Sequence, residues 1–417
     1  MGIHVPPALH HRRFTYLWLG QMISVAGSQM QIWALYWHIR ELNSNPIAVS
    51  GIGAARFIPI LVFALIGGLV ADRYNRRKII FFTQSTMALT ALGLWLLTVL
   101  GVIQLWHIYL LTAVQAVAIS FDGPARQSLI PNLVPGKDLP SAFSMNSIAS
   151  DIGSIIGPAL SGLVIAYMGQ GNVYLINAVS FLAVIGALIM IGSVPQQVTL
   201  APSSKRIDLS PIGEGIRFII GHPVISSSMI LDFFATFFSS ANTLLPYVAR
   251  DILHVGAVQY GWLSAAQSIG AIGAALIISQ KNAIRKQGKI LLGSVVIFGL
   301  ATVAFGVSRA FGLTFLTLIV VGAADSVSTI IRNTIRQLQT PDHIRGRMTS
   351  INQIFFMGGP QLGEIESGAV AQAFGIPAAI ITGGIGCVVA AVWIAGKFPQ
   401  IREYNGDEPT LAGATAD

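Results

Sequence analysis

Seven ionisable side chains stand inside stretches that are otherwise apolar: Arg56, Asp122, Asp151, Asp232, Asp325, Glu364 and Glu366. An ionisable group at bilayer depth costs about 2.5–3.5 kcal/mol on insertion scales, so each needs a partner or a task. A carboxyl whose proton affinity is raised by burial and lowered by a cationic neighbour or substrate can take up and release a proton. On that ground Asp232, Glu364, Glu366, Asp151 and Asp325 are the proton-coupling candidates. Asp151 and Asp325 are equally open to satisfaction by neighbouring Ser and Asn side chains. Glu364 and Glu366, two residues apart, are turned about 200° from one another on a helix, so one partner can meet only one of them well. Other chemistries lack their residues. There is no G-x-x-x-x-G-K-[ST] phosphate loop, and the histidines, such as His38, His107, His222, His254 and His343, have no metal-ligand spacing. The chain reads as a non-enzyme with no cofactor.

The elements that hold these charges follow from composition. The chain has 417 residues, of which 53% are hydrophobic and 10% charged, against about a quarter charged in soluble domains. Mean hydropathy is +0.68. Apolar runs long enough to cross a bilayer, about 20 residues each, recur along the whole chain. The predicted spans are 14–39, 47–70, 79–100, 106–130, 141–168 and 172–194, then 223–249, 258–280, 289–308, 312–336, 347–372 and 376–397. This divides the protein into a six-helix bundle over 1–194, a polar linker over 195–222, a second bundle over 223–399 and a tail over 400–417. Part of the linker, near 209–220, is expected to lie on the membrane as an amphipathic helix. The net charge of +8 is no sign of nucleic acid, because the basic residues gather in alternate short loops. Arg73, Arg76, Arg77, Lys78, Lys205, Arg206, Lys281, Arg285, Arg345 and Arg347 fall on one side, and only Arg40, Arg250 and Arg309 on the other. Both termini are therefore expected in the cytoplasm. Cys387 is the single cysteine, so no intrachain disulfide forms.

The two halves repeat. A shift of 206 positions places Arg126 on Arg332, Pro135 on Pro341, Asn146 on Asn352, Gly157 on Gly363 and Ser161-Gly162 on Ser367-Gly368. Parallel repeats of six helices are one of the known transporter architectures, with the substrate site near the midplane.

Residues 68–78, from Gly68 through Ala71-Asp72-Arg73 to Asn75-Arg76-Arg77-Lys78, resemble the major facilitator loop motif G-x-L-A-D-R-x-G-R-K. Asn75 stands at the second glycine, a position expected to need a left-handed backbone. In span five, Gly153, Gly157, Pro158 and Gly162 resemble G-x-x-x-G-P-x-x-G-G, the motif of antiporters in that superfamily, with Ser161 for one glycine. Asp122-Gly123-Pro124-Ala125-Arg126-Gln127, Arg345-Gly346-Arg347-Met348 and the Leu362–Gly368 stretch resemble a bacterial group that includes the enterobactin exporter and the macrolide efflux proteins.

The resemblance implies an all-α membrane protein of major facilitator fold, with twelve transmembrane helices in two six-helix bundles. It implies a cytoplasmic gate of Gly68, Asp72, Arg73, Arg76 and Arg77 with Asp122 and Arg126 on span four. The bland alternative is that the loop arginines are topology signals only. Span five would pack against span eight. Spans two and eleven face each other in the family, which makes Arg56 with Glu364 or Glu366 the candidate outer pair. Asp232, on a cavity-lining span, is either a proton carrier or a structural acid facing span eleven. The implied function is proton-coupled efflux of a drug or siderophore across the bacterial inner membrane, driven by the proton gradient, by a monomer that binds an amphipathic or apolar small molecule, protons and lipid. Uptake symport, facilitation, and a non-transporting receptor or scaffold are the alternatives.

Overall fold

The computed structural model of the protein describes residues 6–195, 210–238, 240–280 and 284–408. Side chains at 64–65, 69, 72, 151, 155, 210–212, 214–215, 240–241, 342–347, 349–351 and 353–357 also lie outside the description. Among the residues so excluded are the candidate acids Asp72 and Asp151, and Lys205, Arg206, Lys281, Arg345 and Arg347 of the basic loops.

The described residues form helices and turns, with no strand among them. In the first half the long helices are α1 (Arg12–Leu42), α2 (Ile47–Arg73), α3 (Arg76–Val99), α4 (Leu105–Leu129), α5 (Leu139–Met168) and α6 (Gln170–Ile191). A shorter α7 (Ser210–Gly221) occupies the predicted linker. The second half continues with α8 (Pro223–Phe238), the one-turn α9 (Leu245–Tyr247), α10 (Ala257–Ser279), α11 (Gln287–Val307) and α12 (Phe311–Leu338). It ends with α13 (Asp342–Phe374), α14 (Ile376–Lys397) and the short α15 (Pro399–Glu403). Among the described residues, nine segments are long and apolar enough to cross a membrane, and Ile47–Phe63 of α2 is a shorter apolar helix. The 31-residue α1 and 33-residue α13 are longer but more polar, carrying Gln21, Gln29 and Gln31 in one and Gln361, Glu364 and Glu366 in the other.

The chain resolves into two compact units, one of Met1–Ser44, Gly51–Pro202 and Val255–Trp262, the other of Asn45–Ser50, Ser203–His254 and Leu263–Asp417. Lipid tails are as apolar as leucine, so small residues and interhelical hydrogen bonds must hold helices together. The first unit shows both. Gly20 of α1 lies against the Ala183 carbonyl, and Gly27 lies against Ser180 and Asn177, where a Cβ would collide. Beside them the Gln31 amide donates to Gln115 Oε1 at 2.9 Å and accepts from Asn177 Nδ2 at 2.7 Å. The second unit has a core of Leu231, Leu291, Ile331, Ile335 and Ile394, closed by Ile401 and Tyr404.

The repeat is visible in the turns. Gly169 (φ 82°) joins α5 to α6, and Gly375 (φ 90°), 206 positions on, joins α13 to α14. Each ends one helix and starts the next in a conformation that costs glycine little. Asn75 behaves differently from expectation. Its backbone is extended (φ −63°, ψ 110°), and its side chain accepts from the Lys78 amide at 3.3 Å. It is there as the N-cap of α3 and needs no left-handed backbone.

Candidate transport cavity in the second unit

Span seven is broken where the sequence predicts one helix over 223–249. After α8 the chain passes through a 3-10 turn, Ser240–Leu244, then α9, then a π turn, Val248–Ile252. Pro246 accounts for part of this, since it lacks the N–H that would bond the Asn242 carbonyl in an α-helix. Asn242 instead turns its side chain to α10. Its Nδ2 donates to Gln267 Oε1 at 3.1 Å, and Gln267 Nε2 donates back to Asn242 Oδ1 at 2.6 Å.

One turn and two turns before the break stand Thr236 and Asp232. The Asp232 carboxylate is 1% exposed and faces α12, where Arg332 Nη1 lies 2.9 Å from Oδ1 and Arg336 Nη1 lies 3.7 Å from Oδ2. Its ionic partners are therefore on span ten. Arg332 is itself 2% exposed and donates to Thr329 Oγ1 at 2.9 Å, while Arg336 is held by Asn333 and Asn352. Neither Asp232 oxygen makes an aligned hydrogen bond. The attraction is between charges, without the directional bonds that usually complete a buried ion pair.

Asp325 lies two turns before Arg332 on α12 and is exposed. It opens into a cavity of about 320 Å³ lined also by Thr236, Asn242, Gln267, Ser268 and Phe298. Close helix crossings shape this space. Gly270 lies against the Ile319 carbonyl and Gly322 against that of Gln267, so any Cβ would force α10 and α12 apart. These two candidate acids of the second unit, Asp232 and Asp325, therefore differ in kind. Asp232 is sealed between arginines, and Asp325 meets open space.

The other sequence candidates fall in separate places. Asp122, 7% exposed, accepts from Thr83 Oγ1 at 2.8 Å, Gln84 Nε2 at 2.9 Å and both Nε (3.0 Å) and Nη2 (2.5 Å) of Arg126. Four donors satisfy it fully. Arg77 donates to the Leu188 carbonyl at 2.8 Å in the last turn of α6, a helix end that favours a cation. Arg76 is buried, and Gly68 has open space at its Cα. Within span five, Gly153 and Gly157 lie against Ala26, Gln29 and Met30 of α1, and Ser161 donates to the Met30 carbonyl at 2.9 Å. Gly162 alone of the motif glycines meets α10, at Ala257 and Gly261. Arg56 sits on α2 in the first unit. Glu364 is buried and Glu366 half-buried on α13 in the second, where the Ser50 hydroxyl donates to the Glu364 and Ile365 carbonyls at 3.2 Å.

Arg332, Arg336, Asn242 and Gln267 were not singled out as site residues by sequence reasoning. The signal existed for the arginines, which fall inside the predicted span 312–336 and incur the same cost as the acids. For Asn242 the signal was Pro246.

Comparison with known proteins settles the family. Residues 5–410 match the model of the major facilitator family described as transmembrane secretion effector. The chain belongs to that family. This transporter is 26% identical over 408 residues to the enterobactin exporter EntS of Citrobacter koseri, covering 97% of this chain and 96% of the relative. It is 25% identical, over the same shares, to EntS of Escherichia coli. Among solved structures it is similar to a bacterial homologue of the lysosomal transporter Spinster, with TM-score 0.70, 14% identity and coverage of 96% and 97%. It is also similar to the nucleoside transporter NupG, with TM-score 0.66, 16% identity and coverage of 93% and 99%. These likenesses carry the fold. The transporter has the all-α major facilitator architecture of twelve transmembrane helices in two six-helix bundles.

Proposed function

We propose that this transporter drives efflux of a small amphipathic molecule, a drug or a siderophore, across the bacterial inner membrane in exchange for protons. It acts as a monomer with both termini in the cytoplasm. The observation that carries the reading is the contrast between two carboxylates of the second unit. Asp325 opens into a polar cavity from which it can exchange a proton, while Asp232 is held between Arg332 and Arg336. The charge of Asp232 is already met by two guanidiniums, whereas that of Asp325 faces the space into which a substrate enters. Asp232 then organises the charge of the site, and Asp325 carries the proton. The names of the full-length relatives support the outward direction. Arg56 with Glu364 or Glu366 is the outer pair of the same cycle, and Asp72 with Asp122 and Arg126 the cytoplasmic gate.

The test is accumulation in inverted membrane vesicles, with enterobactin and tetraphenylphosphonium as probes. Exchange predicts uptake of at least one probe when the lumen is acidic, abolished by a protonophore. Uptake indifferent to the protonophore would point to facilitation. A scaffold would give no uptake, and a symporter would extrude the probe from the vesicles. Any of these three results would overturn the reading.

A further inference from the structure

We propose that the second-unit cavity is the recognition site for a cationic group on the transported molecule, with Asp325 as its counter-ion. The inference deepens the efflux reading by naming a substrate class, and it rests on that reading only for its physiological meaning.

The cavity offers one charge. Among its described lining residues Asp325 is the ionisable one; the remaining polar groups are the amides of Asn242 and Gln267 and the hydroxyls of Thr236 and Ser268. The two amides bond each other in both directions, so each keeps one N–H and one acceptor lone pair to offer. Thr236 already donates to the Asp232 carbonyl at 2.8 Å. The nearby cations are engaged elsewhere. Arg332 lies 2.9 Å from Asp232 and about 10 Å along the helix from Asp325, as seven residues of rise require. Arg336 contacts Asp232, Asn333 and Asn352.

An anion entering this space would meet a carboxylate, while the nearby cations, Arg332 and Arg336, are engaged with Asp232. A neutral group would leave the charge of Asp325 without a partner once water is displaced. An ammonium, guanidinium or phosphonium meets the charge, and the apolar lining of Phe298, Val321 and Ala271 receives the apolar body beside it. The volume, about 320 Å³, is at the lower end for small-molecule sites, so it takes the cationic end of a larger molecule or a compact cation whole.

The experiment is equilibrium binding to the purified full-length transporter in nanodiscs, using tetraphenylphosphonium and its near-isosteric anion tetraphenylborate, with empty nanodiscs subtracted. The inference predicts at least tenfold tighter binding of the cation, loss of that preference in Asp325→Asn, and its retention in Asp325→Glu. Ala271→Phe, which fills the cavity without changing charge, should weaken cation binding to a similar degree. It decides the matter should Asp325→Asn not fold. Equal binding of the two ions, no binding of the cation, or an unchanged preference in Asp325→Asn and Ala271→Phe would overturn the inference. Cation preference without gradient-driven uptake would leave this site standing and remove the efflux reading. Gradient-driven uptake without cation preference would do the reverse.

Discussion

At the scale of single residues, the second unit separates two of the acids that the sequence offers as proton-coupling candidates, Asp232 and Asp325. Asp232 and Arg332 are both about 2% exposed on their side chains, so each is the other's main compensation for leaving water. Removing one partner of such a pair strands a buried charge and costs about 3–5 kcal/mol. Asp232→Asn and Arg332→Gln should therefore each lower the unfolding midpoint in detergent, and the double variant should lose less than the two losses added. Strict additivity would show that the pair is not coupled. Asp325→Asn removes a charge that faces a cavity, so it should keep a near-native midpoint while abolishing proton exchange. In the first unit Asp122 has four donors from two helices, and Asp122→Ala should leave Gln84 and Arg126 without this acceptor, while Thr83 keeps the Ile80 carbonyl at 3.0 Å. A loss of about 3 kcal/mol or more is expected for such a buried, charge-assisted set. The positions of Asp122 and Arg126 were legible because an i, i+4 pair is local. The partners of Asp232 were not, because a contact between residues 100 positions apart leaves no mark on periodicity.

Helices pose a second question, which is where regularity must fail. The run 223–249 has the composition of one span, yet Asn242 reaches Gln267 only because the helix breaks before Pro246. Pro246→Ala restores a donor to the Asn242 carbonyl and makes a continuous helix accessible. The prediction is unchanged or slightly raised thermal stability with substrate affinity reduced about tenfold or more, measured on the same preparation. Retained affinity would show that the break does not shape the cavity. Gly162 and Gly261 approach so closely that a side chain on either displaces a helix backbone. Gly162→Leu should cost about 1–3 kcal/mol as an overpacking change, whereas a substitution at Gly68, which faces open space, should be nearly neutral for stability. The span-five motif was readable as a seam of small residues, and its backbone partners divide between α1 and α10. Which glycine met which helix was not readable, since spacing fixes a face and leaves the neighbour undetermined.

The whole molecule was the most legible level. Twelve apolar runs, alternating loop charge and a 206-residue repeat are each consequences of crossing a bilayer in two copies of one plan. The paired turns at Gly169 and Gly375 carry that plan into backbone geometry. What the repeat conceals is its division of labour. Arg126 finds its acid four residues earlier on its own helix, at Asp122, while the equivalent Arg332 has Ser328 there and takes Asp232 from α8 instead. The acid has moved between helices, tying α12 to α8 beside the cavity that Asp325 faces. In the proposed cycle Asp325 exchanges protons against substrate. The most direct measurement is proton release from acidified inverted vesicles, followed with an acridine dye as enterobactin or tetraphenylphosphonium is added. The proposed exchange gives substrate-dependent alkalinisation of the lumen by the native transporter and none by Asp325→Asn at equal protein levels. Substrate entry without proton release, or an Asp325→Asn signal equal to the native one, would contradict it.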